Sequence, residues 1–249
     1  TGAVSVVGTF SQISGGLSTG SFTLTLGGVT NTVSGGTLSV ASGGVVSVVG
    51  GALGVSAGTL SVASGGSVSA GTNAVTVSGT GALAMAGGQL SGGAVALGNS
   101  SGTDTFISAS AASTVNATTV TITGVAGTVA DISNITWNLS GETDWDDSAF
   151  AGTWTAPTSG TVNFNGTTTP TLASAAAHPL YDIAVADGVV LSLSTVLTAR
   201  NIAIGTTAAA SFIAAGDYAI TSTGTISGTG TLNAAALTSA TLDVDGSKS

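Results

Sequence analysis

The sequence predicts an all-β chain wound as a parallel β-solenoid, a three-faced β-helix with about 22 residues per coil, and three observations carry that expectation. First, the block G-T-L-S-V-A-S-G-G at Gly36–Gly44 returns unchanged at Gly58–Gly66, one offset of 22 later. Second, each unit alternates apolar and small polar residues, as in Leu38-Ser39-Val40, Val46-Ser47-Val48 and Leu60-Ser61-Val62, which is the period of a strand with one buried face. Third, Leu38, Val46, Leu53, Leu60, Val68, Val75, Leu83 and Leu90 open successive strands at steps of seven or eight residues, with a Gly-containing corner between neighbours. Three such steps close one lap, so identical blocks stack in register one coil apart. A hairpin-based sandwich needs no sequence identity at a fixed offset.

Taken in order, residues 1–34 form an N-terminal coil or cap, in which Phe10 and Phe22 are larger than anything in the tight repeat. Residues 35–98 are the regular Gly-rich solenoid. Residues 99–130 lose the Gly-Gly corners and continue with longer sides, as in Thr119–Thr123. Residues 131–169 hold all three Trp (Trp137, Trp145, Trp154) and five of the eleven acids, four of them clustered at 142–147, and they read as an insertion or flank too bulky for a column of Val and Ala. The solenoid resumes over 170–245, where Tyr181–Val185 and Asn201–Ile204 lie 19 to 20 residues apart, and 246–249 form a tail.

Charge narrows the function. Two basic residues, Arg200 and Lys248, stand against eleven acidic ones, for a net charge of −9. Nucleic acid and anionic membrane surfaces both need clustered Lys and Arg, so neither is a partner. No run approaches the roughly 18 apolar residues of a membrane helix, and the strands are too short and too poor in aromatics for a transmembrane barrel. With no Cys, there are neither disulfides nor Cys-ligated metal. Positive mean hydropathy and regular apolar spacing speak for order despite the Gly content.

Candidate sites are few. Glu142, Asp144, Asp146 and Asp147 are the best case for a cation, since calcium takes six to eight oxygens and Asp144 and Asp146 share a face of an extended segment; the alternative is a solvated acidic loop around Trp145. Asp243 and Asp245 are a weaker pair. Trp145 and Trp154 offer planes for stacking on a glycan, against the alternative of a small hydrophobic cluster. His178, the lone histidine, reads as a corner residue. A lyase acting on uronates would need a cationic base, and the two basic residues do not supply one. The chain is therefore expected not to be an enzyme and to need no cofactor other than calcium.

Trp137–Ala156, W-N-L-S-G-E-T-D-W-D-D-S-A-F-A-G-T-W-T-A, followed by Pro157–Phe164, resembles the linker of bacterial β-strand-repeat surface proteins, which include autotransporter-like adhesin passengers. Leu180–Gly188 and the GG-x-L-x-V units resemble their coils. The resemblance implies a secreted or surface-displayed β-solenoid used for scaffolding or adhesion, and it assigns no catalytic residue. Two functions follow as expectations. One is a non-enzymatic structural subunit of an extracellular filament, matrix or surface layer, stacking on copies of itself head-to-tail. The other is an adhesin or carbohydrate-binding module that contacts glycans or other surface polymers.

Overall fold

The structure, a computed structural model, describes residues 2–100, 104–141, 144–166, 169–206, 212–214, 218–233 and 242–244. Every strand pairing in it is parallel, the described residues contain no helix, and the strands fall into three sheets of 13, 11 and 7 strands. Each sheet takes every third strand for most of the chain, the topology of a solenoid of about 9 turns with about 22 residues per coil.

The alternation seen in sequence becomes a radial sorting of side chains. Thr37–Val40 and Val45–Val48 bury their second and fourth residues and leave the first and third half-exposed. Stacking then turns these positions into columns. Leu38 lies in register with Leu60, Leu60 with Leu83, and Leu83 with Ile107. On the first sheet one core column runs through Leu24, Val46, Val68, Leu90, Val115, Trp137, Val162, Ile183 and Ile202. Each such side chain, fully buried, contributes about 1.5–3 kcal/mol, and because a coil contacts only its neighbours these terms accumulate along the axis.

The Gly-Gly corners are needed for two separate reasons. Gly65 has φ +74°, in the left-handed region that costs any side chain with a Cβ. Gly66 has ordinary φ, but a Cβ there would lie 2.6 Å from the Val40 carbonyl oxygen of the coil below. In the coil that carries Trp137 the same corner is turned by Asn134 (φ 62°), alone among the described non-Gly residues in having positive φ. Its amide offsets the strain by donating to the Ala109 carbonyl at 2.9 Å and accepting from Ser159 Oγ at 2.7 Å.

The segment 131–169, expected as an insertion or flank, corrects to a wider coil. Ile135–Leu139 lies in the first sheet, Trp145–Asp146 in the second and Thr153–Thr155 in the third. Trp137 pairs with Val115 below and Val162 above, and Trp145 with Val120 and Leu172. Large rings fit because the lap lengthens: Asn138 and Asn163 stack at an offset of 25, where Asn116 and Asn138 stack at 22. The extra residues sit in the corners. Beyond this coil the third sheet ends at Thr153–Thr155, while the first two sheets continue, and the offset falls to 19 between Asp182 and Asn201.

At the other end, the first coil leaves core positions open. Val4, in register with Leu24, is 49% exposed, and Phe10 and Leu17 are only partly buried. Val7 and Ile13 on its corners are exposed.

Candidate functional site

The tryptophan coil is where the chain's buried polar chemistry gathers. Trp137 projects inward from the first sheet and Trp145 from the second, so their rings meet edge to face at 5.4 Å and 84°, a favoured aromatic geometry. Neither ring is exposed. Trp154, on the last strand of the third sheet, is half-buried.

Strand alternation sends the acids apart. With Trp145 pointing in, Asp146 points out, and its carboxylate accepts from Ser148 N (3.0 Å) and Ser148 Oγ (2.6 Å). Asp147 turns back into the interior and is fully buried. Its Oδ2 accepts from Trp145 Nε1 at 2.7 Å and Ser174 Oγ at 2.9 Å, and its Oδ1 from the Ala175 amide at 2.8 Å. His178 Nδ1 lies 3.0 Å from the same Oδ1, which places a proton on that nitrogen. Three of these four donors come from the corner at 174–178, one coil along, so a single carboxylate ties two coils together. The imidazole, itself buried, stacks on Trp154 at 4.8 Å and 19° and meets the Phe150 ring edge to face at 5.4 Å. Trp154 Nε1 donates to the Pro179 carbonyl at 3.0 Å.

Asp144 is the opposite case. It too is fully buried, yet neither carboxylate oxygen has a hydrogen-bond partner. Loss of hydration pushes its pKa up from 3.8 to about 7, and the nearby Gly141 amide, outside strict hydrogen-bond geometry, draws it back only in part.

These directions set apart three of the four residues expected to hold calcium. Asp144 sits in the corner, Asp146 faces outward and Asp147 faces the core; among the described residues no three such side chains converge, and Glu142 lies outside the described residues. The side chains of Asp243 and Asp245 also lie outside them. Of the expected glycan platform, the structure corrects Trp145. Trp145 has no exposed face, and Trp154, half-buried, has one face of its ring stacked on His178. The alternative reading, a hydrophobic cluster, describes both.

Ser174, His178 and Asp147 are the residue types of a hydrolytic triad, but they are wired differently. Hydroxyl and imidazole both bind the one carboxylate, so no base activates the serine. The arrangement is a clamp. His178 does stand at a corner, as its sequence position suggested. Its link to Asp147 spans 31 residues and had no signal in local spacing; only the coil register could have revealed it.

On the outer face of the first sheet Arg200 grips Asp182 through Nε (3.2 Å) and Nη2 (3.3 Å), lies 3.8 Å over the Tyr181 ring and bonds its hydroxyl. This surface cluster is worth little to stability.

Compared with known proteins, the chain matches no family model, no curated protein and no solved structure.

Proposed function

We propose that this β-solenoid is a non-enzymatic structural rod of an extracellular filament, matrix or surface layer, and that copies of it associate head-to-tail, coil on coil. The observation that supports this reading best is the in-register parallel stacking itself, in which core columns such as Leu38, Leu60, Leu83 and Ile107 run from coil to coil along the axis. A coil that stacks in register on its neighbours within one molecule can pair in the same way with a coil of another copy, and heterologous contacts of this kind extend without closing. The resemblance to β-strand-repeat surface proteins adds the expectation of secretion or surface display. The net charge of −9 with only two basic residues agrees with a partner that is neither nucleic acid nor anionic membrane.

Electron microscopy and light scattering of the purified chain over a concentration series test the reading. Rods that lengthen with concentration are expected, and Val4→Asp with Leu17→Asp should leave the fold intact and abolish the lengthening. Monodisperse rods one molecule long at every concentration would sink it.

A further inference from the structure

Beyond the rod itself, and independently of it, the first sheet carries a ladder of amides. Thr-Val-Asn at 114–116, Thr-Trp-Asn at 136–138 and Thr-Val-Asn at 161–163 stack in register, so Asn116, Asn138 and Asn163 form one outward column above Ser91. Asn163 Nδ2 donates to Asn138 Oδ1 at 2.8 Å, Asn138 Nδ2 to Asn116 Oδ1 at 2.9 Å, and Asn116 Nδ2 to Ser91 Oγ at 3.3 Å. An amide has two N–H donors and two acceptor lone pairs. Each ladder bond uses one of each at most, which leaves Asn116 and Asn138 a donor and an acceptor apiece, held in fixed orientation.

These amides form one wall of a groove of about 330 Å³ that runs along the rod axis from Gly71 to Asn165. The other wall is the corner between the first and second sheets. There Thr118 Oγ1 gives its proton to the Gly93 carbonyl at 2.8 Å and Ser140 Oγ to the Ala117 carbonyl at 3.4 Å, so both hydroxyls offer lone pairs outward. Asn165 stands exposed at the far end. None of the described residues lining the groove is charged.

We infer that this groove binds a neutral glycan chain laid along the rod axis. Amides and hydroxyls recur there at the coil spacing of about 4.8 Å, and the flat, extended ribbon of a β-1,4-linked chain advances by close to that distance per sugar. The amides are oriented before the ligand arrives, which lowers the entropy cost of ordering them. An anionic glycan is repelled by a net charge of −9. Strand addition by an extended peptide needs an open edge, and here the strands are paired on both sides. No aromatic ring lines the groove among its described residues, so affinity rests on polar contacts and is weak, with a Kd of about 1 mM.

The test follows the side-chain amide resonances of Asn116, Asn138 and Asn165 in ¹⁵N–¹H spectra of the whole chain, titrated with cellohexaose, chitohexaose, an oligogalacturonate of equal length and an extended Ser/Thr peptide. Saturable shifts of these three amides are expected with at least one neutral hexasaccharide, and Asn165→Ala, on an exposed corner, should weaken binding roughly tenfold with unchanged Tm. Ser140→Ala serves as a second variant with the same expectation. No shift with either neutral hexasaccharide, or tighter binding of the uronate or the peptide, overturns the assignment.

Discussion

The imidazole of His178 and the carboxylate of Asp147 lie 3.0 Å apart across 31 residues of sequence, both buried, and the bond closes the corner of one coil onto the coil before it. Because Asp147 also satisfies Trp145, Ser174 and the Ala175 amide, it is the most heavily used polar side chain in the tryptophan coil. Asp147→Ala strands all of these donors in the interior and should cost about 3–5 kcal/mol. Urea unfolding followed by tryptophan fluorescence reads this directly, since all three Trp lie within the same coil. A loss below about 1 kcal/mol, the worth of one ordinary hydrogen bond, would reduce the clamp to an incidental contact.

Asp144 should make stability depend on pH in the sense opposite to an ordinary carboxylate. Its pKa is raised from 3.8 to about 7 on folding, so between those values the folded state holds more protons than the unfolded one. Stability is then highest at the acid end and declines as pH rises through the window, by at most about 4 kcal/mol at 1.36 kcal/mol per unit. Asp144→Asn should remove this slope and stabilise the chain above pH 7, which denaturation midpoints at several pH values would check. An Asn variant with an unchanged slope would place its origin elsewhere.

The two buried indoles should answer differently to the same change. Trp137 Nε1 has no hydrogen-bond partner, so Trp137→Phe loses volume and contacts but also an unsatisfied donor. Trp145 Nε1 donates to Asp147 at 2.7 Å, and Trp145→Phe forfeits that bond as well. The second variant should be the less stable by about 1–3 kcal/mol, measured by the same unfolding experiment. Equal losses would show that the Trp145–Asp147 bond contributes nothing net.

Among the corners, Gly66→Ala should be costlier than Gly71→Ala. The first forces a Cβ to within 2.6 Å of the Val40 carbonyl oxygen of the coil beneath, and separating packed coils costs about 1–3 kcal/mol or more. The second meets nothing within 4 Å and pays only for φ +56°, about 1–2 kcal/mol. Thermal midpoints of the two variants give the order.

The winding of the chain, its strand sides and its glycine corners were legible in the sequence because a parallel solenoid repeats one local environment. Leu38 and Leu60 face the same interior, one coil apart, and so the same residue types recur at the same interval. What only the tertiary structure decided is what happens where that interval changes. Stacking a longer lap around Trp137 and Trp145 made room for rings that the shorter laps exclude, and it turned neighbouring acids toward core, corner and solvent. It also aligned Asn116, Asn138 and Asn163 into a ladder at offsets of 22 and 25, which no single period predicts. Backbone register converts distance along the chain into contact. Repetition reveals the register where it is constant, and only the folded backbone sets it where it is not.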